Sequence, residues 1–427
     1  MKPDRRSFLR RATLGAAGLM AAPALKSGEP AAPGALPAYD ERAPEPFWAA
    51  VRTQFPLSRD LIYFNTGGLG PASQPALAKV EETTRKLQAR SEHGHGLFAE
   101  ARGVVARFFG AQPEEIAFVR NASEGNSIVA AGLKLDPGDE VIFETHAHPG
   151  GSFPWLNQQT LRGITVRLFE PDPRDPAGNV ARIAALMNAR TRVVQVSHVT
   201  APTGLVMPVA EIAALCHGRG VWFHVDGAQS AGMLPFTLRE TGCDSYTTSG
   251  HKWLGGPLET GVLFVRRDRM NEVAAAHVGA YSGELDGLPG ELRIADSAMR
   301  FEYGTRNVAA ALGLAEAIRL QERIGTGRIA ARIRGLADRV FAGLARLPGV
   351  EVLTPAVPEL RAAMVTFRTA RVPHDQLFGR LLRDHAMRTR PVTEQKLNAL
   401  RVSTHLFNSP AECDALVAAV EKILRSA

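Results

Sequence analysis

The feature that most constrains the fold is a regular alternation of short apolar runs with longer stretches of helical spacing, which begins at Phe47. The apolar runs are rich in β-branched and aromatic residues, as strands are. Those predicted as strands are residues 141–143, 165–168, 193–198 and 221–225, with helical spacing between them at 181–188 and 209–217. Strands that alternate with helices predict a mostly parallel sheet covered by helices on both faces. In such a sheet, ligands bind beyond the carboxyl ends of the strands.

The rest of the chain divides into a second domain and an N-terminal extension. A chain of 427 residues, 45% of them hydrophobic, is long enough for two or three domains. Long helical patterns and short apolar runs after residue 312 predict a smaller α+β domain. The predicted organisation is a signal peptide at 1–26, a Pro/Ala/Gly-rich flexible linker at 27–46, a large α/β domain with its N-terminal segment at 47–311, and a small C-terminal domain at 312–427.

The first 26 residues are similar to a twin-arginine export signal. Arg5-Arg6 is followed by Ser7-Phe8-Leu9-Arg10 and then by an apolar stretch at 12–25, which is too short to span a membrane comfortably. Small residues at 21–24 suit cleavage, although the site itself is open. We therefore expect the twin-arginine machinery to export a folded protein to the periplasm or beyond, with no stable membrane association after cleavage. The alternative is a retained amphipathic or disordered tail.

Charge and cysteine content exclude several other classes of protein. The net charge is +7, but the first thirty residues hold six basic and two acidic residues, so the remainder carries only about +3 and has no basic block. We expect no nucleic-acid partner. The three cysteines, Cys216, Cys243 and Cys413, are far apart and suggest neither a disulfide framework nor a metal site. We expect them to be buried small side chains.

A carboxylate and a lysine are predicted to share the ligand-binding edge of the sheet. Asp226 directly follows the apolar run at 221–225, and Lys252 lies in a polar, glycine-flanked loop before the apolar run at 261–265. Pyridoxal 5′-phosphate (PLP) needs such a pair, since a lysine amine forms an imine with its aldehyde while an aspartate keeps its ring nitrogen protonated. An isolated pair would instead be an ordinary salt bridge at a strand end. The neighbouring residues favour the cofactor.

Groups suited to a phosphate lie close to that pair. Ala122 and Ser123 can open a helix after the apolar run at 116–119, and backbone N–H groups at a helix start bind anions. Ser249 and His251, beside the lysine, could reach the same phosphate. A serine at a helix start is otherwise a simple cap.

A histidine follows the strand at 141–143 and is expected at the same edge. His148 could stack on the cofactor ring and shuttle protons, or it could be a solvated loop residue. Whether His146 or His148 faces the cofactor is open.

Eight segments, in order along the chain, resemble those of the class V aminotransferases. This PLP superfamily of fold type I includes cysteine desulfurases, selenocysteine lyases and isopenicillin N epimerase-like proteins. The similarity runs from Ile62 to the end of the chain. The segments are residues 64–71, 121–126, 148–151, 197–199, 225–229, 249–257, 301–307 and 400–403.

This resemblance implies a role for each predicted site residue. Lys252 would carry PLP as a Schiff base, Asp226 would pair with the ring nitrogen, Gln229 would contact the phenolic oxygen, and His148 would stack on the ring. Ser123 with the amide of Ala122, Ser249 and His251 would hold the phosphate. Thr305 would reach the cofactor of the neighbouring subunit, in a homodimer with shared active sites. Arg401 would clamp the α-carboxylate of an amino acid substrate with its planar fork.

Departures from the family pattern narrow the reaction. Desulfurases carry a loop cysteine shortly before the carboxylate-binding arginine, yet residues 355–401 contain none. Where many relatives have an asparagine, this chain has Thr200-Ala201-Pro202-Thr203-Gly204. Together with residues 148–151 and 301–306, this places it nearer the epimerase-like branch. We therefore predict an epimerase or aminotransferase acting at the α-carbon of an amino acid whose identity the sequence leaves open.

Three other functions are alternatives to an epimerase or aminotransferase. A C–S or C–Se lyase of the desulfurase type is the alternative within the family. A non-catalytic periplasmic binding protein on the same scaffold would not need the lysine. A dinucleotide-binding oxidoreductase built around residues 67–70 would need a fuller glycine fingerprint than this chain has.

Overall fold

The computed structural model describes residues 34–284 and 290–426. The predicted twin-arginine signal at 1–26 and the start of the linker lie outside the described residues, and they stay predictions. Among the helices that are described, none is both long enough and apolar enough to cross a membrane.

Helices and strands alternate through most of the described chain. The helices are α1 Glu45–Arg52, α2 Gln74–Gln88, α3 Phe98–Phe109, α4 Ala122–Gly132, α5 Pro149–Arg162, α6 Pro176–Leu186, α7 Val209–His217, α8 Leu238–Thr241, α9 Val308–Ile324, α10 Thr326–Ala345, α11 His374–His385 and α12 Pro410–Arg425. The strands are β1 Ile62–Tyr63, β2 Ile116–Val119, β3 Glu140–Glu144, β4 Thr165–Phe169, β5 Thr191–Ser197, β6 Trp222–Asp226, β7 Ser245–Ser249, β8 Gly261–Val265, β9 Val350–Val352, β10 Met364–Thr369, β11 Met387–Arg388, β12 Arg390–Val392 and β13 Ala399–Ser403.

The large domain is built on a seven-stranded sheet in the order β2-β8-β7-β6-β5-β3-β4. Of the described strands in this sheet, β8 runs antiparallel to both neighbours and the others are parallel. The predicted mostly parallel, helix-covered α/β sheet is therefore confirmed. Strand β7 has no apolar signature in the sequence, because four of its five residues, Ser-Tyr-Thr-Thr-Ser, are serine or threonine. All five are nonetheless buried, since β7 lies between β6 and β8.

Six parallel strands bring their carboxyl ends to one edge of this sheet. Burial on both faces explains why three of them read as apolar runs, since every residue of β2, β3 and β6 is buried. Helices α4 and α5 begin at this edge, after β2 and β3. The six strands end there at Val119, Glu144, Phe169, Ser197, Asp226 and Ser249.

The C-terminal region forms a second, antiparallel sheet in the order β12-β13-β10-β9. Helices α10 and α12 cover it, and their apolar residues share one core with Val365 and Leu400. Helix α9 instead packs on α2 and α3, and its Leu312 and Ile318 belong to the core of the large sheet. The predicted boundary at residue 312 thus lies inside α9.

The N-terminal segment joins the two sheets. It pairs through β1 with β11, and the N–H of Ser403 donates to Phe64 O at 2.8 Å. The N–H of Gly70 donates to His251 O at 2.8 Å. A Cβ at Gly70 would lie 2.0 Å from the carbonyl oxygen of Lys252, so this close approach requires glycine. The segment therefore holds the lysine loop against the small domain.

Candidate active site

A cavity of about 340 Å³ opens at the carboxyl edge of the large sheet. It brings together every predicted site residue except Thr305, which does not occur in the described lining. Residues of the small domain close one side. The lining consists of Gly67, Gly68, Asn121, Ala122, Ser123, His148, Gly150, Ala201, Asp226, Ala228, Gln229, Ser249, His251, Lys252, Arg390 and Arg401.

Lys252 is poised to act as a nucleophile and a base. Burial of the amine lowers its pKa to about 8, and the charges of Arg401 and Arg390 act in the same direction, while Asp226 opposes them. A lysine with this pKa has a substantial neutral fraction near neutral pH, unlike an exposed lysine. The neutral amine is the form that attacks a carbonyl and accepts a proton.

Asp226 receives two hydrogen bonds from fixed donors. The N–H of Ala228 donates to Oδ1 at 3.0 Å, and Nδ2 of Asn126 donates to Oδ2 at 2.9 Å. Asn126 also donates to the carbonyl oxygen of Gly150 at 3.0 Å, which holds its amide in place. These donors stabilise the negative charge of the carboxylate and fix its orientation towards the cavity.

A chain of buried hydrogen bonds behind Asn126 sets the direction of its amide. His224 Nε2 lies 2.7 Å from Asn126 Oδ1, and its Nδ1 lies 2.8 Å from Ser245 Oγ, which accepts from Trp222 Nε1 at 3.0 Å. Burial lowers the pKa of His224 to about 4, so the ring is neutral. Since Asn126 Nδ2 donates to Asp226, its Oδ1 must accept, which places the histidine proton on Nε2. Every donor in this series of hydrogen bonds thus points along the series towards the Asp226 carboxylate.

The opposite end of the cavity fits the phosphate of PLP. Helix α4 begins at Ala122, whose N–H donates to Ser249 Oγ at 3.1 Å, so Ser249 can turn its own O–H towards an anion. His251 Nδ1 is buried and has no hydrogen-bond partner within the described chain. An orphaned imidazole nitrogen beside a helix N-terminus suits a phosphate oxygen. Ser123 lies at the same helix start and lines the cavity.

Gln229 is held by protein contacts at both ends of its amide. Nε2 donates to Gly67 O at 2.9 Å, and Oε1 accepts from Trp253 Nε1 at 2.8 Å. The second N–H of Nε2 stays available to a cofactor oxygen.

Of the two candidate histidines, His148 lines the cavity. Its Nδ1 caps α5 by accepting the N–H of Gly150 at 3.0 Å, so the neutral ring carries its proton on Nε2. Burial lowers the pKa of His148, and the charge of Lys252 lowers it further. His146 instead lies 3.3 Å from Thr203 Oγ1 and 3.5 Å from Glu170, outside the lining residues.

Arg401 presents a free guanidinium fork. It is 1% exposed, and its Nη1 donates to Ala201 O at 2.7 Å. Nε and Nη2 have no partner among the described residues, and these two N–H groups form the side-on fork that a carboxylate binds. A Cβ at Gly67 would lie 2.8 Å from Nη2, so glycine there leaves the fork room. Burial lowers the pKa of Arg401 to about 9.

Replacing Arg401 with lysine should raise the KM for an amino acid substrate by about 30- to 150-fold with a smaller change in kcat. The point charge would keep some attraction but lose the two-pronged contact, which we expect to cost about 2–3 kcal/mol. Steady-state kinetics would measure this. The matched control is Arg368→Lys on β10, an exposed residue paired with Glu351. An unchanged KM in Arg401→Lys would contradict the carboxylate clamp.

Thr305 lies in a separate cavity of about 280 Å³ with Tyr303 and Arg306. The segment that carries it is anchored by Glu302, which forms a buried two-pronged ion pair with Arg102 at 2.8 Å. Its predicted contact with a neighbouring subunit stays a prediction.

Sequence reasoning missed four residues of the site. His224 could have been noticed, since it precedes Asp226 by two positions on one strand and therefore shares its face of the sheet. Asn126 was part of a recognised segment but received no role. Arg390 and Glu394 had no sequence signal, because their importance depends on how β12 pairs with β13.

The chain is similar to known proteins along most of its length. The family model described as aminotransferase class V matches residues 74–416. The isopenicillin N epimerase of Streptomyces clavuligerus is 31% identical over 390 residues, covering 88% of this chain and 98% of the epimerase. A probable cysteine desulfurase of Pyrococcus abyssi is 28% identical over 400 residues, covering 88% of this chain and 97% of the desulfurase.

Solved structures match as well. The apo structure of a cysteine desulfurase from Thermococcus onnurineus NA1 superposes with a TM-score of 0.81 at 28% identity, covering 91% of this chain and all of that one. A variant of the protein C-DES, with glycine covalently linked to its PLP cofactor, superposes with a TM-score of 0.80 at 29% identity, covering 87% of this chain and 98% of C-DES.

Proposed function

Because this chain belongs to the aminotransferase class V family of PLP-dependent enzymes, we propose that it is an amino-acid epimerase that inverts configuration at the α-carbon. The observation that carries the proposal is the shared cavity of Lys252 and His148, two groups able to exchange a proton, with the free fork of Arg401. Inversion requires a base on one face of the α-carbon and an acid on the other.

The cofactor is PLP, and the fold is fold type I of the PLP-dependent enzymes. PLP and fold type I, both predicted from sequence, are confirmed by the family match and by the solved structures. When bound, PLP supplies an electron sink that makes the α-hydrogen of an amino acid acidic. Within this chain, the Asp226 carboxylate would pair with the ring nitrogen, and the start of α4 with Ser123, Ser249 and His251 would hold the phosphate.

The three substrate-facing groups have separate tasks. Arg401 would fix the α-carboxylate and so orient the α-carbon between the two proton-transfer groups. Lys252, whose pKa is lowered to about 8, would remove the α-proton at Nζ. His148, neutral and protonated on Nε2, would deliver a proton from the other side.

A C–S lyase is the second candidate, because relatives of this chain include probable cysteine desulfurases and the structural matches include the cystine C–S lyase C-DES. The cysteines argue against the persulfide-forming reaction. All three are buried in apolar cores, and burial raises the pKa of each thiol to about 12. No cysteine lines the described cavity.

The reaction can be assigned by incubating the PLP-loaded enzyme with single amino acids in heavy water. Epimerisation gives α-deuteration with loss of optical purity and neither keto acid nor sulfide. Transamination gives a keto acid, and β-elimination from cysteine or cystine gives sulfide or persulfide together with pyruvate. Either of the last two results, without inversion, would overturn the epimerase assignment.

Replacing His148 with asparagine should lower the inversion rate by about 10²- to 10³-fold and α-deuterium exchange with retention by less than tenfold. Asparagine keeps an oxygen that can cap α5 at Gly150 but cannot deliver the proton. Chiral chromatography and mass spectrometry of the recovered amino acid would separate the two rates. The matched control is His146→Asn, which lies outside the lining residues. Unchanged inversion would remove His148 from the mechanism.

The oligomeric state and the location of the enzyme are also part of the proposal. We propose a homodimer in which Thr305 reaches the partner's cofactor, since the described Thr305 lies in a cavity that Lys252 does not line. Residues 5–10 support export through the twin-arginine machinery to the periplasm.

A further inference from the structure

Two arginines face each other across the strands that close the cavity. Arg390 on β12 is the direct cross-strand partner of Arg401 on β13, and both line the cavity. Like charges directly opposite each other on paired strands destabilise a sheet. An anion between the two side chains would offset this repulsion.

The protein supplies one carboxylate for this pair. Glu394 accepts from Arg390 Nη2 in a short ion pair. Arg390 Nη1 is buried and has no partner within the described residues, while Arg401 Nε and Nη2 are also free. Three buried guanidinium nitrogens of this pair are thus without a partner in the described part of the chain, while Glu394 already accepts from Arg390 Nη2 and from the N–H of Thr393.

The α-carboxylate of a substrate is matched by Arg401 alone in this arrangement. The free Nε and Nη2 of Arg401 form a complete side-on fork, which engages both oxygens of one carboxylate. Arg390 Nη1 then still lacks an acceptor among the described residues. The phosphate site lies at the start of α4, where it is served by Ser249 and His251.

From this arrangement we infer that the substrate is an amino acid with a second anionic group on its side chain, which Arg390 binds in exchange for Glu394. The inference rests on the proposed action at the α-carbon of an amino acid, and it names the substrate class. In the absence of substrate, Glu394 serves as the counter-ion of Arg390.

The loop that carries Glu394 is suited to such an exchange. The backbone that follows Glu394 is left-handed at Gln395 (φ 50°), Lys396 (φ 59°) and Asn398 (φ 48°). This conformation is uncommon for residues other than glycine. Gln395 Nε2 donates to Thr145 O at 2.6 Å, which tethers the loop to the large domain three residues before His148. Movement of Glu394 away from Arg390 would therefore be coupled to the edge of the active site.

The experiment compares acidic amino acids with their neutral isosteres. Rates of α-deuterium exchange are measured for aspartate, glutamate and 2-aminoadipate against asparagine, glutamine and norleucine, with the PLP-loaded enzyme. We expect the acidic series to be preferred by at least tenfold in kcat/KM. Arg390→Met should lower kcat/KM for acidic substrates at least about 30-fold more than it lowers kcat/KM for neutral ones. Arg368→Met, an exposed arginine of the same small sheet, is the matched control and should change neither.

A second variant tests the counter-ion. Glu394→Gln keeps the side-chain volume and removes the competing carboxylate, so the ratio of kcat/KM for acidic substrates to that for neutral substrates should rise several-fold. Circular dichroism and PLP absorbance would verify that each variant is folded and loaded.

The outcomes separate this inference from the proposed function. Exchange with no amino acid at all would overturn the proposed function and this inference with it. Exchange with neutral amino acids and no preference for acidic ones would overturn the inference alone. Equal losses for both series in Arg390→Met would mean that Arg390 shares the α-carboxylate, and weakened PLP binding would mean that it serves the phosphate. Either result would also overturn the inference.

Discussion

Replacement of Lys252 with alanine is expected to lower α-deuterium exchange by about 10⁴-fold or more and to abolish the violet-edge absorbance of the lysine-bound cofactor. Both effects have the same cause. The Nζ atom is the group in the cavity that can bond to the cofactor aldehyde and accept the α-proton. Its pKa of about 8 results mainly from burial, so no exposed lysine can replace it.

The measurement uses purified wild-type and variant proteins incubated with excess PLP and then desalted. The wild type should retain an absorbance band that shifts on borohydride reduction, and the variant should not. The matched control is Lys79→Ala, a partly exposed lysine on α2 that pairs with Glu82. A colourless wild type, or a Lys252→Ala protein with wild-type exchange, would refute the role of Lys252.

Asp226→Asn is expected to lower α-deuterium exchange by about 10³-fold while leaving the fold intact. The substitution removes the negative charge opposite the ring nitrogen. It also places an NH₂ group against one of two fixed donors, the N–H of Ala228 or Nδ2 of Asn126, so a donor is left unsatisfied at a buried position. The loss of a buried charge interaction and of one hydrogen bond amounts to about 4 kcal/mol, or roughly 10³-fold.

The control for this substitution is Asp268→Asn, which changes the same charge at an exposed residue paired with Arg266. Exchange kinetics and the PLP absorbance maximum would be followed together, since the spectrum reports the protonation of the ring. An Asp226→Asn enzyme with wild-type exchange and an unchanged spectrum would show that Asp226 does not act on the cofactor.

Whether a strand could be predicted from sequence depended on whether its buried residues are apolar. Strands β3, β5 and β6 could be recognised because both faces of a parallel sheet are covered, which makes the strands continuous apolar runs. Strand β7 escaped recognition because its buried serine and threonine hydroxyls form hydrogen bonds inside the protein, as Thr248 does with Gly227 O at 3.0 Å. A buried polar strand of this kind has no hydrophobic signature.

Some residues of the candidate site could be predicted from sequence, and others could be identified only in the structure. Lys252 and Asp226 could be assigned together from sequence because Asp226 directly follows one apolar run and Lys252 lies in a glycine-flanked loop before another. The support of Asp226 by Asn126 and His224 could not, since it depends on side-chain directions across α4, β6 and β7. The choice of His148 over His146 likewise required the structure, because the two differ by two positions in one loop.

The sequence by itself determined the α/β class and the PLP cofactor, and it predicted the roles of Lys252, Asp226 and Arg401. The fold class and the Lys252–Asp226 pair follow from local order along the chain, whereas the role of Arg401 is implied by the resemblance to class V aminotransferases. Tertiary structure alone decided that Arg390 faces Arg401, that Glu394 neutralises one of them, and that the donors behind Asp226 all point towards its carboxylate. Strand pairing and burial bring together residues that are distant in sequence, and they set the charge and hydrogen-bond balance that local patterns do not contain.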